Sequence, residues 1–476
     1  MDHRPIEGAP VRRQRRPLIY IALIALALGV ALLVVGNKST AHRRSTGQPN
    51  ILIILTDDQS IGTMTRQVMP NTLRYVADQG RRYTNFYITD PLCCPSRSSI
   101  MTGQLNHNNH VTGNSESTFH LDMNTTLQHY LHQAGYQTWI SGKFLNGWQY
   151  KPGSPNPPDW DHFTVTRGGK HLRLDFNQDG KFYTYDHYAD PLIEQQALKY
   201  LADTESSDAQ PWFGYLALTV PHGPYTPMTP YKHLPLRVRQ PTPSERERNI
   251  SDKWPGYAQH AKYGFATKTW LAQLRMLRQA DDIVGRVIAQ LKSQSELQNT
   301  IIVFLSDNGF LFRAHQLYGK RLPYTESVKV PAMIRWSGHI PADSVWKRPV
   351  TNVDLAPTLL NAAGVAPSPA PLFDGRNIFD DTMHRHEVLL EQWHEPGHNS
   401  RAWQPTWASL RSPSWQYIEY YDKSGAVTFR EYYNLTRDPW ELRSTIAATQ
   451  GQGSPRIAAL HQRLAAARTC AGADCP

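Results

Sequence analysis

The stretch that most constrains the fold is Ile51-Leu-Ile-Ile-Leu55, five apolar residues without a break that run straight into Thr56-Asp57-Asp58-Gln59. A strand with one wet face alternates apolar and polar residues, so an unbroken run of this length predicts a strand covered on both faces, as in a parallel sheet. The same arrangement recurs three times. Gln137–Ile140 leads into Gly142-Lys143, Phe213–Val220 into Pro221-His222-Gly223, and Thr300–Leu305 into Asp307-Asn308-Gly309. Parallel strands present their C-terminal ends on one edge of the sheet, where open α/β sheets place their ligands. One such ending is an ordinary turn or helix cap. Four of them gather three carboxylates, an amide, a lysine and a histidine on one edge.

Helical patterns separate these strands. Asn71 to Gln79 predicts a short helix stopped by Gly80, Thr126 to Ala134 another stopped by Gly135, and Trp270 to Leu291 a long amphipathic helix. Asp354 is expected to cap a helix running to Ala363. Alternating strands and helices imply an α/β fold: a large, mostly parallel central sheet flanked by helices on both faces. Residues 152–190 and 221–254 lack periodicity and read as irregular insertions. After Pro367 the composition changes, and Trp407–Leu410, Trp415–Tyr420 and Val427–Tyr433 predict a smaller antiparallel C-terminal subdomain closed by a helix from Arg456 to Ala467.

Ahead of the first strand, Leu18 to Val35 is apolar throughout, enough for a helix to cross roughly 27 Å of hydrocarbon. Arg12, Arg13, Arg15 and Arg16 precede it, which favours a cytoplasmic N-terminus, although Lys38, Arg43 and Arg44 weaken the bias. No small-residue cleavage site follows closely, so an uncleaved signal anchor is expected. The reading divides the chain into a cytoplasmic basic segment (1–16), a transmembrane anchor (17–36), a linker (37–48), a catalytic domain (49–370), a C-terminal subdomain (371–468) and a tail (469–476). The catalytic part would lie outside the cytoplasm, or be secreted if the anchor is cut. Two of the four cysteines, Cys470 and Cys475, stand in the tail, where export would favour a small disulfide loop. The net charge of +10 comes with no zinc-finger or RNP-like motif. The missing motifs speak against nucleic acid; the charge itself reads either as attraction for an anionic substrate or as a solvated basic surface without function, the commoner origin of such a number.

The other two cysteines are adjacent, in Cys93-Cys94-Pro95-Ser96-Arg97, followed by Ser98-Ser-Ile-Met-Thr-Gly103. A side chain at the start of that predicted helix faces unpaired N–H groups and the positive end of the helix dipole, a setting that stabilises an anion. The segment resembles the signature of the sulfatase family, Cys-x-Pro-Ser-Arg followed by a short helix ending in Thr-Gly. Pro49-Asn50, Asp57-Asp58-Gln59, Gly142-Lys143, Pro221-His222, Ser306-Asp-Asn-Gly309, Gly319-Lys320-Arg321, Asp354-Leu-Ala-Pro-Thr358 and Tyr433-Asn-Leu-Thr-Arg-Asp-Pro439 stand in that family's order. The loop Gly103-Gln-Leu-Asn-His107-Asn-Asn-His110 and the run Gly142-Lys-Phe-Leu-Asn146 are similar to the branch containing N-acetylglucosamine-6-sulfatases and extracellular endosulfatases.

The resemblance implies an alkaline-phosphatase-like sandwich and hydrolysis of sulfate monoesters, either a carbohydrate sulfate such as N-acetylglucosamine-6-sulfate or an aryl sulfate. A separate formylglycine-generating enzyme would oxidise Cys93 to formylglycine (3-oxoalanine), whose hydrate is the family's nucleophile. Asp57, Asp58, Asp307 and Asn308, with position 93, would hold Ca²⁺, or Mg²⁺ in its place; hard oxygen donors suit either. Arg97 would hold the hydrate, Lys143 and Lys320 the sulfate, and His222 the leaving oxygen. His315 matches a further family histidine near the leaving group. Many sulfatases carry a histidine two residues after the first lysine, whereas Lys143 is followed by Phe144-Leu145-Asn146. His107 and His110 read as lining of the substrate pocket or as metal ligands. A phosphonate or phosphate monoester hydrolase on the same fold, and a membrane protein that binds sulfated glycans without turnover, are the alternative readings.

Overall fold

The computed structural model describes residues 47–476 apart from 147, 149–154, 167, 207–209, 369–371, 396–403 and 447. The expected cytoplasmic segment, membrane anchor and nearly all of the linker therefore lie outside the described residues. Among the described residues no helix is long and apolar enough to cross a membrane.

In chain order the main elements are β1 (Asn50–Thr56), β2 (Arg81–Tyr83), α1 (Cys93–Thr102), α2 (Leu127–Gln133), β3 (Gln137–Lys143), β4 (His162–Thr166), β5 (Leu172–Gln178), β6 (Lys181–Tyr188), α3 (Ala189–Glu205), β7 (Trp212–Ala217), α4 (Thr267–Ser293), β8 (Thr300–Ser306), β9 (Ala332–Arg335), β10 (Ser344–Trp346), α5 (Leu355–Ala362), β11 (Val388–Gln392), β12 (Thr406–Arg411), β13 (Trp415–Tyr421), β14 (Val427–Asn434) and α6 (Pro455–Ala467). Ten strands form the central sheet, in the order β10-β2-β9-β8-β1-β7-β3-β4-β5-β6. Its middle, β8-β1-β7-β3-β4, is parallel throughout.

The unbroken apolar runs are explained by burial on both faces. Ile51, Ile53 and Leu55 point into one core layer with Ile301, Val303 and Leu305, against Ile100 of α1, Leu131 of α2 and Leu359 of α5. Leu52 and Ile54 point the other way, with Ile302 and Phe304, against α3 and the apolar side of α4. Each such side chain, wholly withdrawn from water, contributes about 1.5–3 kcal/mol of hydrophobic stabilisation. The register Leu55 with Ala217 and Thr56 with Ser306 brings the C-terminal ends of β1, β7 and β8 level.

Three expectations need correction. The stretch 152–190 reads in the sequence as an irregular insertion, but its residues 162–166 and 172–188 supply β4, parallel to β3, and then the antiparallel β5 and β6 that finish one edge of the sheet. Asp354 does not cap its own helix. Its Oδ2 accepts from the Thr351 N–H at 2.7 Å in a capping box over the preceding turn, and it pairs with Arg385 at 2.5 Å. The C-terminal sheet, β11-β12-β13-β14, is antiparallel as expected but begins at Val388, because Ile378 and Met383 still pack in the core of the central sheet. Residues 47–476 form one compact unit. In its tail Cys470 and Cys475 are disulfide-bonded.

Candidate active site

Cys93 is the first residue of α1, all ten of whose residues are buried. Leu92 enters extended, Pro95 falls in the first turn where a missing N–H costs nothing, and Gly103 ends the helix at φ 67°. That places the Cys93 thiol over the C-terminal edge of the parallel strands. Its Sγ lies 3.7 Å from Asp57 Oδ1 and 2.7 Å from Lys320 Nζ. Cys94 turns away, its sulfur accepting from the Asn146 N–H at 3.0 Å.

The strand ends converge as the sequence implied. Asp57 and Asp58 leave β1, Asp307 and Asn308 leave β8, and Lys143 ends β3. Gly142 is required there: at φ 118° a Cβ would sit 1.9 Å from the Ala217 carbonyl oxygen, so only glycine lets β3 deliver Lys143 this close to β7. Lys143 Nζ pairs with Asp57 Oδ2, and Lys320 Nζ with Asp58 Oδ1. Arg97 Nε donates to Asp307 Oδ2 at 2.9 Å and Nη1 to the Lys143 carbonyl at 2.7 Å. Asn308 Nδ2 donates to Asp58 Oδ1 at 2.7 Å, and the Asp58 N–H to Asp307 Oδ1 at 3.1 Å. Three carboxylates thus stand against three fixed cations. Asp57, Lys143, Arg97 and Cys93 are sealed from water, whereas the Lys320 side chain is 14% exposed and that of His222 is 29% exposed, so the site opens on their side.

Burial by itself would raise the Asp57 carboxyl, but the Lys143 ammonium, helped by His222 and Arg97, outweighs it and holds the group at about 2. For Asp58 burial is likewise overcome, chiefly by Lys320. Burial pushes the Cys93 thiol up despite both lysines, so the unmodified side chain is a thiol rather than a thiolate.

The donors fit a hard divalent cation. Asp57, Asp58, Cys93 and His222 each offer an atom within 4.8 Å of the others. Lys320 Nζ sits on Asp58 Oδ1, 3.4 Å from Asn308 Oδ1 and against Cys93 Sγ. The donor set predicted for a metal therefore already gathers a positive charge. Asp57, Asp58, Asp307 and Asn308 supply oxygen, as Ca²⁺ or Mg²⁺ prefers.

His222 Nε2 lies 3.7 Å from Asp58 Oδ2, and its Nδ1 is 2.6 Å from the Gly223 carbonyl. His315 does not join this group. It is wholly buried, with Nδ1 2.7 Å from Glu247 Oε2 and its ring 4.4 Å from that of Tyr324. Burial, followed by the Lys253 charge, lowers its imidazole to about 3, so it is neutral and no proton donor for a leaving group. His107 is not a zinc ligand. It links α1's following loop to the C-terminal region, with Nδ1 2.9 Å from Glu391 Oε2 and Nε2 2.9 Å from the Cys470 carbonyl. His110 is exposed.

Two contributors escaped the sequence. A Cβ on Gly169 would stand 2.6 Å from His222 Cγ and 2.9 Å from Asp57 Oδ2, so the turn between β4 and β5 lies directly on the site. His171, on the same turn, bonds to Thr219 Oγ1 at 2.9 Å and to the His222 carbonyl, and thereby holds the His222 backbone. Beside Asp58, whose charge adds to burial in raising the Tyr225 phenol, Tyr225, Phe310 and Tyr318 form an edge-to-face aromatic group that reaches solvent at Tyr318.

Residues 49–365 match the sulfatase family, and residues 313–469 match the C-terminal region of N-sulphoglucosamine sulphohydrolase. An extracellular sulfatase SULF-1 homolog of Drosophila melanogaster is 33% identical over 379 residues, 75% of this chain and 33% of that protein. The N-acetylglucosamine-6-sulfatase of Homo sapiens is 27% identical over 522 residues, covering 95% of this chain and 90% of that one. The chain spans between 33% and 54% of the length of the extracellular sulfatases it matches. The solved structure of BT4656, in complex with its substrate D-glucosamine-2-N,6-O-disulfate, superposes with a TM-score of 0.71 at 24% identity, over 88% of this chain and 97% of that one. This likeness establishes the alkaline-phosphatase-like fold, and the match over residues 49–365 shows that the chain belongs to the sulfatase family.

Proposed function

We propose that the chain hydrolyses sulfate monoesters, and that its substrate is a carbohydrate sulfate such as N-acetylglucosamine-6-sulfate. The observation that carries this reading is the Cys93 side chain at a buried helix start, within reach of Asp57 and Lys320 and surrounded by three carboxylates and three fixed cations. Formylglycine at position 93, made by a separate enzyme, would supply an oxygen nucleophile that can later release sulfate, which neither a thiol nor a plain alcohol can do. A Ca²⁺ or Mg²⁺ held by Asp57, Asp58, Asp307 and Asn308 would supply positive charge for an anionic ester and its developing oxyanion.

The chain's own residues do the rest. Lys143 and Lys320 receive the sulfuryl oxygens, and because they are paired to Asp57 and Asp58 they are in place before substrate arrives. Arg97 fixes Asp307 and, at 3.7 Å, faces Asp57, so the carboxylates cannot swing out. His222 keeps one proton at Nδ1 on the Gly223 carbonyl, leaving Nε2 to carry the proton that the departing alcohol takes. Its exposure puts the leaving group on the open side, next to the aromatic group of Tyr225 and Tyr318, a surface suited to the apolar face of a sugar ring. The N-acetylglucosamine-6-sulfatase relative supports the choice of sugar. The apolar run 18–35 supports a single-pass, membrane-anchored form with the site outside the cytoplasm, or a secreted form if it is cut.

The test is a substrate panel on the full chain co-produced with a formylglycine-generating enzyme: N-acetylglucosamine-6-sulfate, an aryl sulfate and the matching aryl phosphate. Faster release of sulfate than of phosphate, with the sugar ester preferred, is expected. Phosphate released faster would make the chain a phosphomonoesterase. Tight binding of sulfated glycan without turnover, on an unmodified Cys93, would make it a binding protein.

A further inference from the structure

His315 lies outside the group around Cys93, in unusual surroundings of its own. It lies in a turn where Arg313, His315 and Gln316 all take positive φ, at 76°, 54° and 60°, a conformation costly for residues with a Cβ. The turn drives the imidazole into the protein, where the side chain has no exposure at all. Nδ1 is hydrogen-bonded to Glu247 Oε2 at 2.7 Å, and Nε2 faces the other way, into the gap beside Glu326. Nε2 has no hydrogen-bond partner, and neither has Glu326 Oε2, which points at it from 3.8 Å. The other Glu326 oxygen accepts from Ser244 Oγ at 2.6 Å, so the carboxylate is held with one oxygen aimed into the gap. A third carboxylate, Glu441, brings an oxygen within 4.8 Å of both. It too is fixed, by Arg411 at 2.5 Å and by the Thr325 N–H at 2.9 Å.

Two buried polar atoms that face each other without a hydrogen bond are rare and costly, and a cation between them would satisfy both. Two of the carboxylates are held in place by cations, Lys253 lying 3.3 Å from Glu247 Oε1 and Arg411 pairing with Glu441. One imidazole nitrogen and two carboxylates are a donor set for zinc and its neighbours rather than for calcium, and a metal-bound imidazole characteristically gives its other N–H to a carboxylate, as His315 does to Glu247. Donors to Zn²⁺ stand roughly 3.3–3.5 Å apart when bonded at about 2.0–2.1 Å, so the 3.8 Å between His315 Nε2 and Glu326 Oε2 would close by a few tenths of an ångström, and Glu441, within 4.8 Å of both, would move in to join them.

We propose that His315, Glu326 and Glu441 form a second, buried metal site that takes a Zn²⁺-like dication, with Glu247 orienting the imidazole. The site is separate from the one around Cys93 and takes no part in ester hydrolysis. Its ligands come from the stretch after β8 and from the C-terminal region after β14, so the ion would fasten the small sheet to the catalytic core.

The full chain, stripped of metal and re-equilibrated in excess Ca²⁺ to occupy the site around Cys93, is titrated with Zn²⁺, and bound zinc is measured by mass spectrometry. One Zn²⁺ per chain is expected, undiminished by Asp58→Asn or Cys93→Ala. Glu326→Gln, which keeps an acceptor for Ser244, should abolish stoichiometric binding, and Glu247→Gln should weaken it by about 10–100-fold. Retention of no zinc, or zinc that survives Glu326→Gln and is lost with Asp58→Asn, overturns the proposal. Should Glu326→Gln fail to fold, zinc X-ray absorption on the unmodified protein decides. One imidazole nitrogen with carboxylate oxygens supports the site, and a shell of oxygen alone or one containing sulfur overturns it.

Discussion

At the scale of single residues, the candidate site depends as much on what is missing as on what is present. Gly169 is missing a Cβ where one would strike His222 and Asp57. Gly169→Ala should therefore lower turnover by about tenfold or more by displacing His222, since small misplacements of reacting groups are costly, while the thermal midpoint stays close to that of the parent. A midpoint that falls as far as the activity would show a general packing defect instead. Arg97 has the opposite character. It is wholly buried, and two of its nitrogens are engaged by Asp307 and the Lys143 carbonyl. Arg97→Ala leaves the buried Asp307 carboxylate without the cation it pairs with, and denaturant unfolding should show a loss of about 3–5 kcal/mol beside the loss of activity. Unfolding at the parent's midpoint would contradict that assignment.

At the scale of elements, four of the five parallel strands were legible because burial on both faces leaves apolar runs that end in polar residues, whereas β4, inside residues 152–190, was not read. Nor were β5 and β6. β6 is the edge strand and β5 lies between it and β4, and both keep much of their surface in water, so Lys181–Tyr188 mixes charged and aromatic residues without a clean period. Gly169 and His171 went unseen for the same reason, since only the folding of that edge brings them to the site. His315 was misplaced because its position in the order of motifs says nothing about the left-handed turn that swings it inward. His107 joins the loop after α1 to β11 and to the tail. Burial alone would lower its imidazole, but the hydrogen bond and charge of Glu391 raise it above the ordinary 6.5. A raised folded value means that this contribution is fully present below about pH 6.5 and disappears as pH climbs through the higher value. Stability measured across that range should decline with pH in the parent and lose that part of its slope in His107→Gln; an unchanged slope would show that folding does not alter the proton affinity of His107.

At the scale of the whole molecule, one sheet edge organises everything. Five parallel strands bring their ends level, α1 lays Cys93 across them, and the C-terminal region packs behind through His107, Asp354 and the Cys470–Cys475 loop. The account stands on Cys93 being converted and then acting as the nucleophile among these carboxylates and lysines. The measurement that tests it most directly is sulfate release from N-acetylglucosamine-6-sulfate and an aryl sulfate by the full chain. It would be co-produced with a formylglycine-generating enzyme, its Cys93 conversion checked by mass, and run beside Cys93→Ala and a chelator-treated sample. The account predicts sulfate release that falls by more than a hundredfold in Cys93→Ala and returns to the chelated sample when Ca²⁺ or Mg²⁺ is restored. Equal rates with and without Cys93, or no sulfate from either ester by fully converted, metal-loaded protein, would contradict it.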